Sequence, residues 1–186
     1  MDQQQKAKIF RQLHERTEGF IIPNPWDVGS ARILASMNFE ALATTSAGMA
    51  HAQGRQDGSL IRDQVLDHCR TIAEATQLPV SADLESGFSD TAKGVAETIG
   101  LAAECGLVGG SIEDHTGDPS DPIFDFNEAL ERVQAAVESK QGLAHDFILT
   151  ARSENHVWGR DDLDDTIKRL CAFEDAGADV LYAPGL

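Results

Sequence analysis

Nowhere does the sequence carry an apolar run approaching the roughly 20 residues that cross a bilayer. Its start, Met1 to Arg16, is polar and mixed in charge rather than a basic region followed by an apolar block. A cytoplasmic chain with no membrane partner is expected. Cations are scarce as well: 15 Lys and Arg stand against 31 Asp and Glu, for a formal net charge of -16. They are scattered rather than gathered into a stripe, so a nucleic-acid partner is excluded. Cysteine is sparse and odd in number: Cys69, Cys105 and Cys171 lie in separate segments that read as helices, with no CxxC or Cys/His metal spacing. Reduced packing thiols are expected. No Gly-rich dinucleotide fingerprint follows the first apolar segment, because Pro23-Asn24-Pro25-Trp26-Asp27-Val28-Gly29 is not GxGxxG.

What is present is enough apolar content for one core: 41% hydrophobic and 25% charged residues read as a single α/β domain over residues 1–186. An acidic chain that handles an anionic metabolite needs a local correction, either a divalent cation or a well-placed Arg.

One phrase recurs: a helix, a Gly or Asn stop, a short apolar strand, then a polar loop. It predicts helices over Asp27–Met37, Thr91–Glu104 and Asp162–Asp175, stopped at Asn38, Gly106 and Gly177. Asp125 with Glu128 has capping-box spacing, and Ser89 or Asp90 is expected to cap the helix before it. Six strands are predicted: Phe20–Ile22, Ala41–Thr44, Pro79–Ala82, Leu107–Ile112, Phe147–Thr150 and Asp179–Tyr182. Such alternation implies parallel strands with helical crossovers. Length favours a doubly wound open sheet, whereas chemistry placed just after several strand ends favours a barrel.

The third predicted strand runs into Asp83-Leu84-Glu85, where alternation places the two carboxylates on one side. The fourth ends at Glu113-Asp114 and the fifth at Arg152-Ser153-Glu154. In a parallel sheet these ends share a rim, so acids and one guanidinium meet there. Oxygen donors without a His or Cys cluster suit a hard cation such as Mg2+. Arg152 would offer a bidentate fork to a carboxylate or phosphate, or would pair with Glu113 or Glu154. Thr44-Thr45-Ser46-Ala47-Gly48-Met49 reads as a small polar loop open to an anion or as a tight turn, and Asp57, in Gln56-Asp57-Gly58, as a turn former or a further acid of the site.

Six segments resemble the isocitrate lyase and phosphoenolpyruvate mutase superfamily, in order, from about residue 18 onward: Asn24 to Arg32, Ala43 to Gly48, Ser81 to Phe88, Gly109 to Asp114, Ala151 to Asn155 and Ala178 to Gly185. The resemblance implies a (β/α)8 TIM-type barrel, here truncated after the sixth strand, with a final helix exchanged between subunits in a homo-oligomeric full-length form. It implies Asp83 as direct ligand to Mg2+, with Asp57, Glu85 and Glu113 acting through water. It also implies a substrate loop of Thr45, Ser46 and Ala47, with Arg152 as anion clamp; Arg152, Glu113 and Asp57 are the candidate catalytic residues.

The lyases of the superfamily carry a Lys-Xaa-Cys-Gly-His segment where this chain has His115 to Pro122, with no cysteine and none of the Lys and Asn expected of the phosphonomutases. That argues against isocitrate cleavage and against mutase activity. What remains is Mg-dependent cleavage or decarboxylation of a small, oxaloacetate-like 2-oxo acid through an enolate. The competing readings are mutase- or hydrolase-type P–C chemistry, a non-catalytic anion-binding or assembly module, and a metal-independent phosphate-binding barrel.

Overall fold

The structure is a computed structural model that describes all residues, Met1–Leu186. In chain order its elements are α1 (Gln3–Glu15), α2 (Val28–Ser36), β1 (Leu42–Ala43), α3 (Ser46–Ala52), α4 (Arg62–Ala75), β2 (Val80–Asp83), α5 (Ala92–Glu104), β3 (Gly109–Glu113), α6 (Phe126–Gln141), β4 (Ile148–Arg152), α7 (Leu163–Ala176) and β5 (Val180–Tyr182). The strands form one five-stranded sheet in sequence order, every pair parallel.

This corrects the expectation of a (β/α)8 barrel cut after its sixth strand: five strands and seven helices form, and the sheet has two free edges. The missing strand is Phe20–Ile22, which is irregular. It runs straight into Pro23 and Pro25, which have no N–H to give a ladder. After it, the Pro23 carbonyl accepts from Ala43 N–H of β1 at 3.1 Å, and the Asn24 side-chain amide donates to the Ala43 carbonyl at 3.1 Å.

Caps explain where the helices begin. Asp27, Thr91, Asp125 and Asp162 each accept from a backbone N–H two or three residues on, so the predicted starts lie within a residue of those found. Thr91 rather than Ser89 or Asp90 caps α5. Gly177 stops α7 with φ 106, a left-handed conformation that favours glycine.

Along the strands, side chains alternate between two layers. Leu42, Val80, Ala82, Ile112, Leu149 and Ala151 join the main core against the helices. The other face carries Ser81, Asp83, Ser111, Glu113, Thr150 and Arg152. At the N-terminal ends of the strands α1 closes that face, packing Ala7, Phe10 and Leu13 against Ala41, Val108 and Ile148. The polar ends of β2, β3 and β4 therefore remain free at the opposite rim.

The closure by α1 requires a residue without a side chain at Gly109. A Cβ there would lie 2.8 Å from the Phe10 ring and 2.9 Å from the Ile148 carbonyl oxygen. Gly109→Ala is expected to cost about 1–3 kcal/mol, read as a lower urea midpoint with unchanged slope.

Candidate functional site

Arg152, at the end of β4, stands opposite Glu113 in the ladder. Its guanidinium lies among three carboxylates: Nη1 is 3.2 Å from Asp83 Oδ1, and Nη2 is 3.2 Å from Glu113 Oε2 and 2.7 Å from Glu154 Oε1. Nε donates to Glu154 Oε1 as well, at 2.8 Å. Burial disfavours the charge, but Glu113, Asp83 and Glu154 outweigh it and raise the Arg152 pKa.

Asp83 is held from its other side by α3. Thr45 caps that helix, and the Ser46 N–H and hydroxyl both donate to Asp83 Oδ2, at 3.1 and 2.8 Å. The stretch Thr45-Ser46-Ala47 is thus the first turn of a helix rather than a loop. Its tight seat fits only glycine at position 48, where a Cβ would meet Thr45 Cγ2 at 2.6 Å.

Glu85 reaches the same cavity by a turn, not by strand alternation. The strand ends at Asp83, and Glu85 takes φ 49. Its Oε1 is buried with no hydrogen-bond partner. Burial pushes its carboxyl up to about 7, and Asp83, Glu113 and Asp57 push the same way. Asp57 also lines the cavity but is exposed, accepting a bond from Gly58 N–H at 2.9 Å within its own turn. The small cavity so formed measures about 390 Å³ and is lined by Thr45, Ser46, Ala47, Asp57, Gly58, Asp83, Glu85, Glu113, His115, Arg152, Glu154, Val157 and Trp158. A larger cavity, about 910 Å³, lies away from this chemistry between α1 and the end of α6.

All eight candidate residues named from the sequence line the small cavity. No three Asp, Glu, His or Cys side chains converge as a ready-made metal cage. The physical reason is that the Arg152 guanidinium occupies the middle of the acid cluster.

The pairing of Arg152 with Glu113 or Glu154, weighed from the sequence as the alternative to an anion clamp, is present with both acids. Sequence reasoning missed His115, Val157 and Trp158 as lining residues. They come from two loops whose meeting no spacing reveals: the His115 and Trp158 rings stack with centroids 4.0 Å apart and planes 8° apart.

Glu154 also gives the site a pH signature. Burial pushes its carboxyl from 4.5 to about 7 despite the Arg152 pair, with Glu113 and Asp114 pushing the same way. The folded chain then holds a proton that the unfolded chain lacks between those values. The associated stability is present below about 4.5 and is lost as pH rises through about 7. Glu154→Gln is expected to flatten the decline of melting temperature across that window, and parallel wild-type and variant curves would contradict it.

Carboxylates on strand ends surround one buried guanidinium at the rim of an α/β protein whose sheet is entirely parallel. Residues 10–186 match the family described as phosphoenolpyruvate phosphomutase, and the chain belongs to that family. It is 58% identical to a candidate lyase/mutase of Burkholderia cenocepacia J2315, with a TM-score of 0.98 over 99% of this chain and 66% of that one. The 2-methylisocitrate lyase of Escherichia coli K12 is 28% identical over 95% of this chain and 61% of its own length. A structure of oxaloacetate acetylhydrolase in complex with the product oxalate is 30% identical, with a TM-score of 0.87 over 95% of this chain and 62% of that one. The chain thus spans about two thirds or less of the length of these three proteins.

Proposed function

We propose that the chain carries the site of a Mg-dependent lyase that breaks the bond beside the carbonyl of a small 2-oxo acid, by decarboxylation or C–C cleavage of an oxaloacetate-like substrate. The observation that carries this reading is the surplus of negative charge around Arg152, with the buried Glu85 Oε1 left unpartnered.

That donor set fits a hard divalent cation: five carboxylates dominate the lining, and the cavity holds more acid than one guanidinium neutralises. Asp83 would hold Mg2+ directly, with Asp57, Glu85 and Glu113 acting through water. When bound, Mg2+ supplies electrophilic stabilisation of negative charge on the carbonyl oxygen. Arg152 would turn its planar fork to the substrate carboxylate once a cation takes over the acids it now pairs with, and the Thr45-Ser46-Ala47 turn would receive the same anionic end. In decarboxylation the C3–C4 bond breaks and CO2 leaves, the bonding electron pair moves through carbon 2 onto the carbonyl oxygen as an enolate, and carbon 3 then takes a proton from solvent water. Arg152 stands ready to stabilise that enolate, in a cavity that holds it preorganised.

Phosphoryl chemistry is less well served. The stretch Thr116 to Pro122 beside the cavity contains Asp118 and Asp121 but no Lys or Arg. The oxalate complex of the 30% identical oxaloacetate acetylhydrolase supports an enolate-like ligand for this site.

The test is a panel of small 2-oxo acids incubated with the protein and Mg2+, with products followed by NMR. Turnover of at least one acid, reduced by about 100-fold or more in Asp83→Ala, is expected. Equal activity in the variant, or no turnover of any acid, would contradict the proposal.

A further inference from the structure

We infer that Arg132 and Thr98, on the helices behind the sheet, are positioning residues of the cation site: they clasp the turn at residues 85–89 and so set where the Glu85 carboxylate stands. The inference rests on the proposed function, because the cation it concerns is the Mg2+ of that reading.

Arg132 is an unusual residue to bury. It lies on α6 with 1% of its surface exposed, and no carboxylate pairs with it. Its Nε and Nη1 have no hydrogen-bond partner, and Glu128 and Asp90 act on it only through space. What holds the charge is backbone: Nη2 donates to the Ser86 and Ser89 carbonyls, both at 2.7 Å. Such bonds from an ionised donor are roughly twice as strong as those from a neutral one. An apolar side chain of similar length would fill the space without the cost of desolvating a charge, so the distinctive contribution of the guanidinium is its grip on these carbonyls.

The grip falls on a turn that would not keep its shape unaided. Glu85, Gly87 and Phe88 have φ of 49, 90 and 55, three left-handed residues of which two are not glycine. Such backbone persists only where its surroundings fix it. Thr98 of α5, fully buried, donates to the Gly87 carbonyl at 2.7 Å, between the two carbonyls that Arg132 holds. Glu85 opens the turn, and its own carbonyl accepts from Glu113 N–H at 3.0 Å. In the cavity its Oε1 has no partner, so the carboxylate stands where the backbone behind it puts it. Asp83 does not share this dependence, because Ser46 and Arg152 hold its two oxygens directly.

The experiment is isothermal titration of the metal-free chain with Mg2+, with hydrogen exchange of the same samples read at residues 84–89. Arg132→Met is expected to bind Mg2+ about tenfold or more weaker than the wild type. Before any metal is added, the amides of its turn should exchange faster. Thr98→Val keeps the shape of the side chain, removes its bond to Gly87 and should weaken Mg2+ binding about threefold or more. Arg132→Lys should return the affinity to within about threefold of the wild type, since it keeps a charged donor. A buried lysine can hold two carbonyls, as Lys6 does with those of Ala73 and Thr76 at 3.0 and 2.8 Å. A merely structural role would lower the melting temperature of Arg132→Met and leave the Mg2+ affinity of the folded protein unchanged. If Arg132→Met does not fold, Thr98→Val decides. If the wild type binds no Mg2+, or Asp83→Ala binds it equally well, the proposed function fails and this inference with it. If the wild type binds Mg2+ through Asp83 but Thr98→Val or a folded Arg132→Met binds as tightly, or Arg132→Lys recovers nothing, the positioning role alone is overturned.

Discussion

Arg152→Met is expected to abolish measurable turnover and to lower stability together. The guanidinium contacts Asp83, Glu113 and Glu154, whose side chains are 19%, 12% and 4% exposed. Methionine fills much of the same space but leaves the three carboxylates facing one another. Removing one partner of a buried ion pair costs about 3–5 kcal/mol, because the remaining charge stays buried without compensation. Losing a preorganised donor at a developing oxyanion costs about 100- to 1,000-fold in rate. Thermal unfolding and the NMR assay separate the two effects. Added Mg2+ should recover part of the stability by replacing positive charge in the cluster, while the rate stays low because the anion clamp is gone. A variant as stable and as active as the wild type would contradict the site.

Arg169→Met should be nearly as damaging, although Arg169 lines no part of the small cavity. Its side chain, on α7, is 2% exposed and pairs at 3.2 Å with Asp114, itself 1% exposed. It also contacts Asp165 at 2.6 Å and donates to the Phe124 carbonyl at 2.9 Å. Asp114 in turn accepts from Glu154 N–H at 2.7 Å, which fixes the loop that carries the site beyond Arg152. Stranding the Asp114 charge is expected to cost about 3–5 kcal/mol. At roughly 2–4 °C per kcal/mol for a chain of this size, the melting temperature should fall by about 6–20 °C. Arg169→Lys should recover part of this, since it restores the charge without the planar fork. A shift below about 3 °C in Arg169→Met would show that the pair is not structural.

The parts legible in the sequence were those carried by local rules. A helix start followed from a capping side chain at Asp125, helix ends from glycine stops such as Gly177, and the rim from chemistry placed after strands that had to be parallel. The same rules misjudged Phe20–Ile22, an apolar run whose pairing is prevented by the prolines after it. They also took Thr45 to Met49 for a loop, although a threonine cap followed by small residues equally begins a helix. Glu85 was placed correctly for the wrong reason, since a left-handed turn brings it round. Arg132 was not legible at all. It is 1% exposed, donates to the Ser86 and Ser89 carbonyls at 2.7 Å, and lies 4.2 Å from the Phe124 ring centre, contacts made between distant segments. The His115 and Trp158 stack is of the same kind.

The central claim is that the acids around Arg152 form a cation-dependent site for an enolate-like anion. Its most direct test is thermal unfolding of this chain with and without Mg2+, then with oxalate added. A ligand that binds only the folded form raises apparent stability with its concentration. The melting temperature should rise with Mg2+ and rise further with oxalate in the wild type, and neither rise should occur in Asp83→Ala. Unchanged melting in the wild type, or an equal response in the variant, would contradict it.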